Sequence, residues 1–302
     1  MAVVAARAEL DAVPPQVLML TGIASVQFGS AFAATLFDRA GPAGVVLLRL
    51  AFAAVLLVPL ARPKLAGCGR PELLAVGAFG LALAGMNWSF YEALHRLPLG
   101  PAVTVEFAGP LTLAIAGSRR LLDLVWAGLA GGGVALLAFG SSHGSGALDP
   151  VGLLLALLAG GCWAAYILLS KRVGASFDGV QGLAVALTVG AVLILPAGLA
   201  QAGGALLQPA VLAGGLGVAL LSSVIPYSCE LTALRRMRAA TFGLLMSLEP
   251  AVAALAGVLV LGQRLHPVTA LALVMVVAAS VGVTLAGRRP DRPAPEGLAP
   301  LD

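Results

Sequence analysis

Charge is scarce in this sequence: Asp, Glu, Lys and Arg make up 11% of its 302 residues, against about 25% in an average soluble chain. So few ions cannot clothe a surface that faces water on all sides, and a soluble class is excluded. Histidine is scarcer still. His95, His143 and His266 fall in breaks between apolar runs, with no Ser/His/Asp or metal-binding constellation around them, so an enzyme is not expected. Cys68, Cys162 and Cys229 lie too far apart for CxxC or Cys/His spacing, which argues against a disulfide framework, a metal centre or any cofactor they would hold. The net charge of +4 is dispersed in short Lys and Arg clusters rather than gathered on one face, so nucleic acid is not the expected partner.

What the chain has in abundance is apolar length. Hydrophobic residues make up 60% of it, with a mean hydropathy of +1.00, and lipid is crossed by apolar helices of about 20 residues. A window of that size predicts an all-α membrane protein with ten spans, near 16–37, 44–61, 71–92, 98–117, 122–139, 150–170, 179–199, 209–233, 239–261 and 266–286. The breaks between them carry turn chemistry or charge, as in "ARPKLAGCGRP" and "SSHGSGALDP". The run from Gln16 to Phe37 is too long for a signal-peptide core and is expected to stay as the first span. Residues 1–15 form a short polar N-terminal segment, and the proline-rich, charged tail 287–302 is expected to be disordered.

Lys and Arg alternate between the two sides of such a bundle. With the N-terminus inside, fourteen fall on the cytoplasmic side and three, Arg39, Arg96 and Arg264, on the other, while Arg49 lies within a span. This asymmetry predicts that both termini are cytoplasmic. An internal repeat is also visible: a shift of 140 residues aligns Pro110 with Pro250 and "ALHR" (93–96) with "ALRR" (233–236). The fourth and ninth spans then correspond, separated by an odd number of helices, so two five-helix halves, 16–139 and 150–286, enter the membrane in opposite directions. Inverted repeats of this kind suit a carrier that alternates access to a midplane site.

Two glutamates stand out in this apolar background. Glu106 in "VTVEFAGPLT" and Glu249 in "LMSLEPAVAA" both fall near the middle of a span, where an ionised side chain costs at least about 2.5–3.5 kcal/mol. A cationic partner, protonation or a water-filled cavity must offset that. Pro110 and Pro250 remove the N–H that would serve the carbonyls of Glu106 and Met246, so each helix is expected to kink there. In the repeat alignment the two carboxylates lie three positions apart, on neighbouring parts of one face. A carboxyl lining a cavity can take up and release a proton as its surroundings change, which gives Glu106 and Glu249 a proton-coupling or substrate role. The plainer alternative is that they only tie helices together.

Arg49, in "VVLLRLAF", is the intramembrane cation. It either snorkels to the outer surface, about 8 Å away, or pairs with a carboxylate of the protein or the substrate. Gln27, Asn87, Tyr166 and Ser247 are candidate cavity-lining residues, although Trp88, Trp163 and Tyr227 nearby are equally suited to interface anchoring. Glu92 and Glu230, nearer to span ends, are expected to anchor at the interface. "GLAGGG" (128–133) reads as a helix-packing surface.

These residues bring a family into view. The stretch "MNWSFYEALHRLPLGPAVTVEFAGPLTLAIAGSRRLLDLVW" (86–126), with "IPYSCELTALRRMRAATFGLLMSLEPAVAALAGVLVLGQRL" (225–265), resembles the bacterial threonine/homoserine exporters of the EamA-type drug/metabolite transporter superfamily. The resemblance runs over nearly all of 16–286. It implies ten helices in two inverted halves and export of small neutral amino acids across the inner membrane by proton antiport. It also implies that Glu106 and Glu249 occupy the family's acidic positions and Arg49 its second-helix arginine. The chain departs from the pattern after the ninth span, where Gln263 and Arg264 replace the usual Gly-Glu. Export of another metabolite or a cationic drug, or a passive channel, stays open as an alternative.

Overall fold

Proline opens the helices Pro15–Ala34 (α1), Pro150–Ser176, Pro209–Ala219 and Pro267–Ala286, where its missing N–H falls in a first turn that has no intrahelical partner. The computed structural model describes residues 13–65, 67–116, 122–139, 148–177, 180–234 and 236–286. Residues 1–12, the tail 287–302, Arg119, Arg120 and His143 lie outside the described residues. After α1 come α2 (Phe37–Ala61), α3 (Arg70–Leu94), α4 (Leu99–Glu106), α5 (Ala108–Ala116), α6 (Leu122–Phe139), α7 (Pro150–Ser176) and α8 (Gln181–Ala202). They are followed by α9 (Pro209–Ala219), α10 (Ile225–Leu234), α11 (Ala239–Met246), α12 (Glu249–Leu261) and α13 (Pro267–Ala286).

Among the described residues every regular element is helical, and nine helical stretches are long and apolar enough to cross a membrane. The expected fifth span forms α6, but its apolar part, Leu124–Leu137, is shorter than the others. Leucines and valines such as Leu154, Val192, Leu259 and Val274 point outward, a surface suited to lipid and not to water. Inside, α3 packs along α7, α2 along α8, α1 along α10, α4 against α12 and α6 along α13.

Both kinks expected from proline are present. Phe107 interrupts the helix between α4 and α5, and Ser247 with Leu248 interrupts it between α11 and α12. At the first break two glycines let α7 come close: a Cβ on Gly160 would collide with the carbonyl oxygen of Glu106, and one on Gly109 with the Gly160 backbone. Gly160→Ala should therefore lower stability by about 1–3 kcal/mol, read as a fall in the unfolding midpoint in detergent. Gly161→Ala next to it, where a Cβ meets open space, should leave the midpoint unchanged.

The second span starts earlier than the sequence suggests, at Phe37 rather than 44. The chain bends at Gly41, whose φ of 65° and ψ of 162° suit glycine alone, and the Ala43 N–H beyond the bend is capped by Gln201 Oε1 at 2.6 Å. Gln263 does the same for the fourth span: its Oε1 accepts from the Leu99 N–H at 3.0 Å. The Gln263 side chain thus serves as a helix cap. Gln263→Glu keeps an acceptor and should be tolerated. Gln263→Leu orphans the Leu99 N–H and should cost about 1–3 kcal/mol, again measured by thermal unfolding.

Candidate functional site

Where α1, α2, α3, α7, α10 and the broken helices converge they leave a cavity of about 720 Å³. Glu106, Glu249 and Arg49 lie on its wall, with Gln27, Asn87 and Tyr166. Each kink sets its carboxylate at the end of a helical segment: Glu106 is the last residue of α4 and Glu249 the first of α12. Glu249 therefore sits where the helix dipole favours negative charge. Pro110 borders the cavity as well. Ser247 does not: it is fully buried behind the wall, donating to the Gly243 carbonyl at 2.9 Å and sharing a 2.7 Å hydrogen bond with Ser280. The turn at Ser247 and Leu248 directs its hydroxyl toward α13, and Ser280 takes the place on the wall that Ser247 was expected to fill.

Arg49 neither snorkels nor pairs with a carboxylate of the protein. It is 5% exposed, and its Nε donates to Ser223 Oγ (3.1 Å), its Nη1 to Tyr91 Oη (3.2 Å) and its Nη2 to the Ser222 carbonyl (2.7 Å). The local chain chemistry explains this anchorage. Between α9 and α10, residues Leu220–Val224 form one wide turn in which the Ile225 N–H bonds back to the Leu220 carbonyl. Pro226, next along, has no N–H to offer either the Leu221 carbonyl in that wide register or the Ser222 carbonyl in an ordinary one. Side chains from other helices supply the missing donors: Ser25 Oγ bonds the Leu221 carbonyl at 2.7 Å, and Arg49 bonds that of Ser222. Gly29 lets α1 approach, since a Cβ there would collide with the side chains of Leu221 and Ser222.

These bonds occupy three of the five guanidinium N–H groups. The other two are left for Tyr227, which interacts with Arg49 from the cavity wall, or for a ligand. Among the described residues, two buried acceptors nearby, Gln27 Oε1 and Ser222 Oγ, lack a partner. Electrostatically Arg49 is coupled to Glu106, and Glu249 to both Glu106 and Glu230.

Glu230 is another residue that the sequence placed elsewhere. It lies on the cavity wall with Tyr227 rather than at the interface, because the wide turn inserts a residue ahead of it and rotates the downstream helix by about 100°. Pro226 was the available signal. Aromatic rings complete the wall: Phe107 meets Trp163 edge-on at 5.8 Å, and Phe79 stacks on Tyr166 at 4.8 Å. The site thus offers one guanidinium, three carboxylates and aromatic surface in one cavity.

Known proteins share this chain's sequence and shape. The EamA-like transporter family matches residues 150–285. The threonine/homoserine exporter RhtA of Escherichia coli (strain K12) is 42% identical over 281 residues, covering 92% of this chain and 94% of its own. The exporter of the same name from Salmonella typhimurium (strain SL1344) is 42% identical over 278 residues, covering 91% and 92%. A solved crystal structure with 19% identity superposes with a TM-score of 0.58 over 93% of this chain and 99% of its own, a likeness in fold alone. With 42% identity to curated exporters over 92% of its length, the chain belongs to the EamA-like transporter family and is a membrane transporter, not an enzyme.

Proposed function

We propose that this transporter exports small neutral amino acids, threonine and homoserine among them, from the cytoplasm across the bacterial inner membrane in exchange for protons. One observation carries the reading: a guanidinium with N–H groups to spare for a ligand shares a cavity with three carboxylates. A zwitterion complements both, its carboxylate on Arg49 and its ammonium on Glu106, Glu249 or Glu230. The relatives' names point to the same substrates. Protons and substrate ammonium then compete for the same carboxylates, which is the exclusion that antiport needs.

The architecture that suits this is ten spans in two inverted halves, 16–139 and 150–286, with residues 1–15 and 287–302 in the cytoplasm. Two features support it. The broken segments α4 and α11, Leu99–Glu106 and Ala239–Met246, are offset by the same 140 residues as the sequence repeat. Exchange of the halves also maps the α1·α10 packing onto that of α3·α7, while α2·α8 and α6·α13 map onto themselves.

The test is uptake of labelled threonine into inside-out vesicles, with competitors. Homoserine should compete, and threonine methyl ester and 1-aminopropan-2-ol, which lack the carboxylate, should not. A second reading, export of a cationic drug or other amine, draws on the aromatic wall and on a volume of about 720 Å³, since aromatic faces attract cations. Equal competition by the carboxylate-free amines would favour it.

A further inference from the structure

The cavity wall includes Lys171 and Gly174, both exposed. Behind Arg49 stands a column of aromatic rings. Tyr91 is 0% exposed; its ring lies under the guanidinium, 5.6 Å from centroid to Cζ, and its hydroxyl accepts from Nη1 at 3.2 Å. Phe37 packs on the other side of Tyr91 at 5.6 Å, and the exposed His95 meets Phe37 edge-on at 5.9 Å. The chain of contacts runs from the cavity wall to the surface through Arg49, Tyr91, Phe37 and His95. Of these four residues only Arg49 borders the cavity.

We propose that this aromatic column closes the cavity behind Arg49 and that Tyr91 is a positioning residue that acts through Arg49 as its latch. Its hydroxyl occupies one arm of the guanidinium and holds the ring in the plug. A substrate carboxylate is the stronger acceptor, because it brings an opposite charge to the guanidinium and can take two of its N–H groups at once. Binding it competes Tyr91 off Nη1. A carboxylate that takes the Nη1 N–H now held by Tyr91 binds only when the hydroxyl has left, so substrate bound in that way favours the unlatched state, which is the differential affinity a population shift requires. The inference rests on reading Arg49 as the carboxylate-binding group.

The latch can be read by labelling in right-side-out membrane vesicles. The full-length protein, with Cys68, Cys162 and Cys229 replaced, carries Ser30→Cys on the cavity wall, and an impermeant maleimide is added on the His95 side. Labelling should be slow without substrate and accelerate with threonine. Tyr91→Phe keeps the ring and removes the hydroxyl, so it should label about tenfold faster without threonine, the factor at the lower limit for a hydrogen bond to a charged group, and gain little more when threonine is added. Phe37→Leu, which breaks the column without touching Arg49, should also label fast. If Tyr91→Phe labels at the wild-type rate and threonine accelerates both alike, the latch is overturned. If threonine accelerates neither protein while Tyr91→Phe is fast, the latch stands and the amino-acid reading of the cavity falls.

Discussion

Glu249→Gln and Glu106→Gln should each abolish accumulation of threonine against its gradient in inside-out vesicles, while exchange of labelled for unlabelled threonine continues. The two outcomes separate because glutamine keeps the size and hydrogen-bonding capacity of glutamate but carries no exchangeable charge. A carrier that still binds substrate and still alternates, but cannot take up a proton, equilibrates its substrate without concentrating it. Both side chains are suitably placed: they are 8% and 5% exposed, on one cavity wall, each at a helix break made by the proline that follows it. Had they served only to tie helices together, the amides would replace them and accumulation would survive. Loss of exchange as well as accumulation would show that the carboxylates are needed for binding itself.

Arg49 is the second position where a large effect is expected. Arg49→Ala removes the guanidinium from the cavity wall and orphans the Ser222 carbonyl, which Pro226 prevents the backbone from satisfying. A hydrogen bond to a charged group contributes about 1.5–3 kcal/mol, so half-saturation for threonine should rise about 10- to 100-fold. Arg49→Lys tests the geometry. It restores the charge, but a single ammonium cannot reach Ser222, Ser223 and Tyr91 from one plane and still present a fork to a carboxylate. It should recover less than half of the lost affinity. Full recovery would mean that charge alone is read at this position.

The spans were legible because a polar side chain or a charged corner is conspicuous in so apolar a chain. The same contrast exposed Glu106, Glu249, Arg49, Gln27 and Asn87, and the proline rule located both breaks to within a turn. Where reading failed, the missing information was which way a residue faces. Glu230 lies close in sequence to Arg236 and Arg238 and so resembled an interface anchor, until the wide turn before Pro226 rotated it inward. Ser247 reads as a wall residue because it is a polar group within a span, yet the turn it occupies directs it to Ser280. Tyr91 carried no signal, since an aromatic near a span end is usually an interface anchor, and its role depends on Arg49 and Phe37 reaching it from another helix. The early start of α2 was hidden because its cap, Gln201, is 158 residues away from the N–H it serves.

The central claim is that threonine and protons move in opposite directions through the cavity of Glu106, Glu249 and Arg49. Its most direct measurement uses the purified protein in liposomes with a pH-sensitive dye trapped inside and no imposed pH gradient. An outward threonine gradient should acidify the lumen as threonine leaves and protons enter, and the signal should vanish in Glu249→Gln. A threonine efflux that leaves the lumen pH unchanged in the wild type would contradict the account.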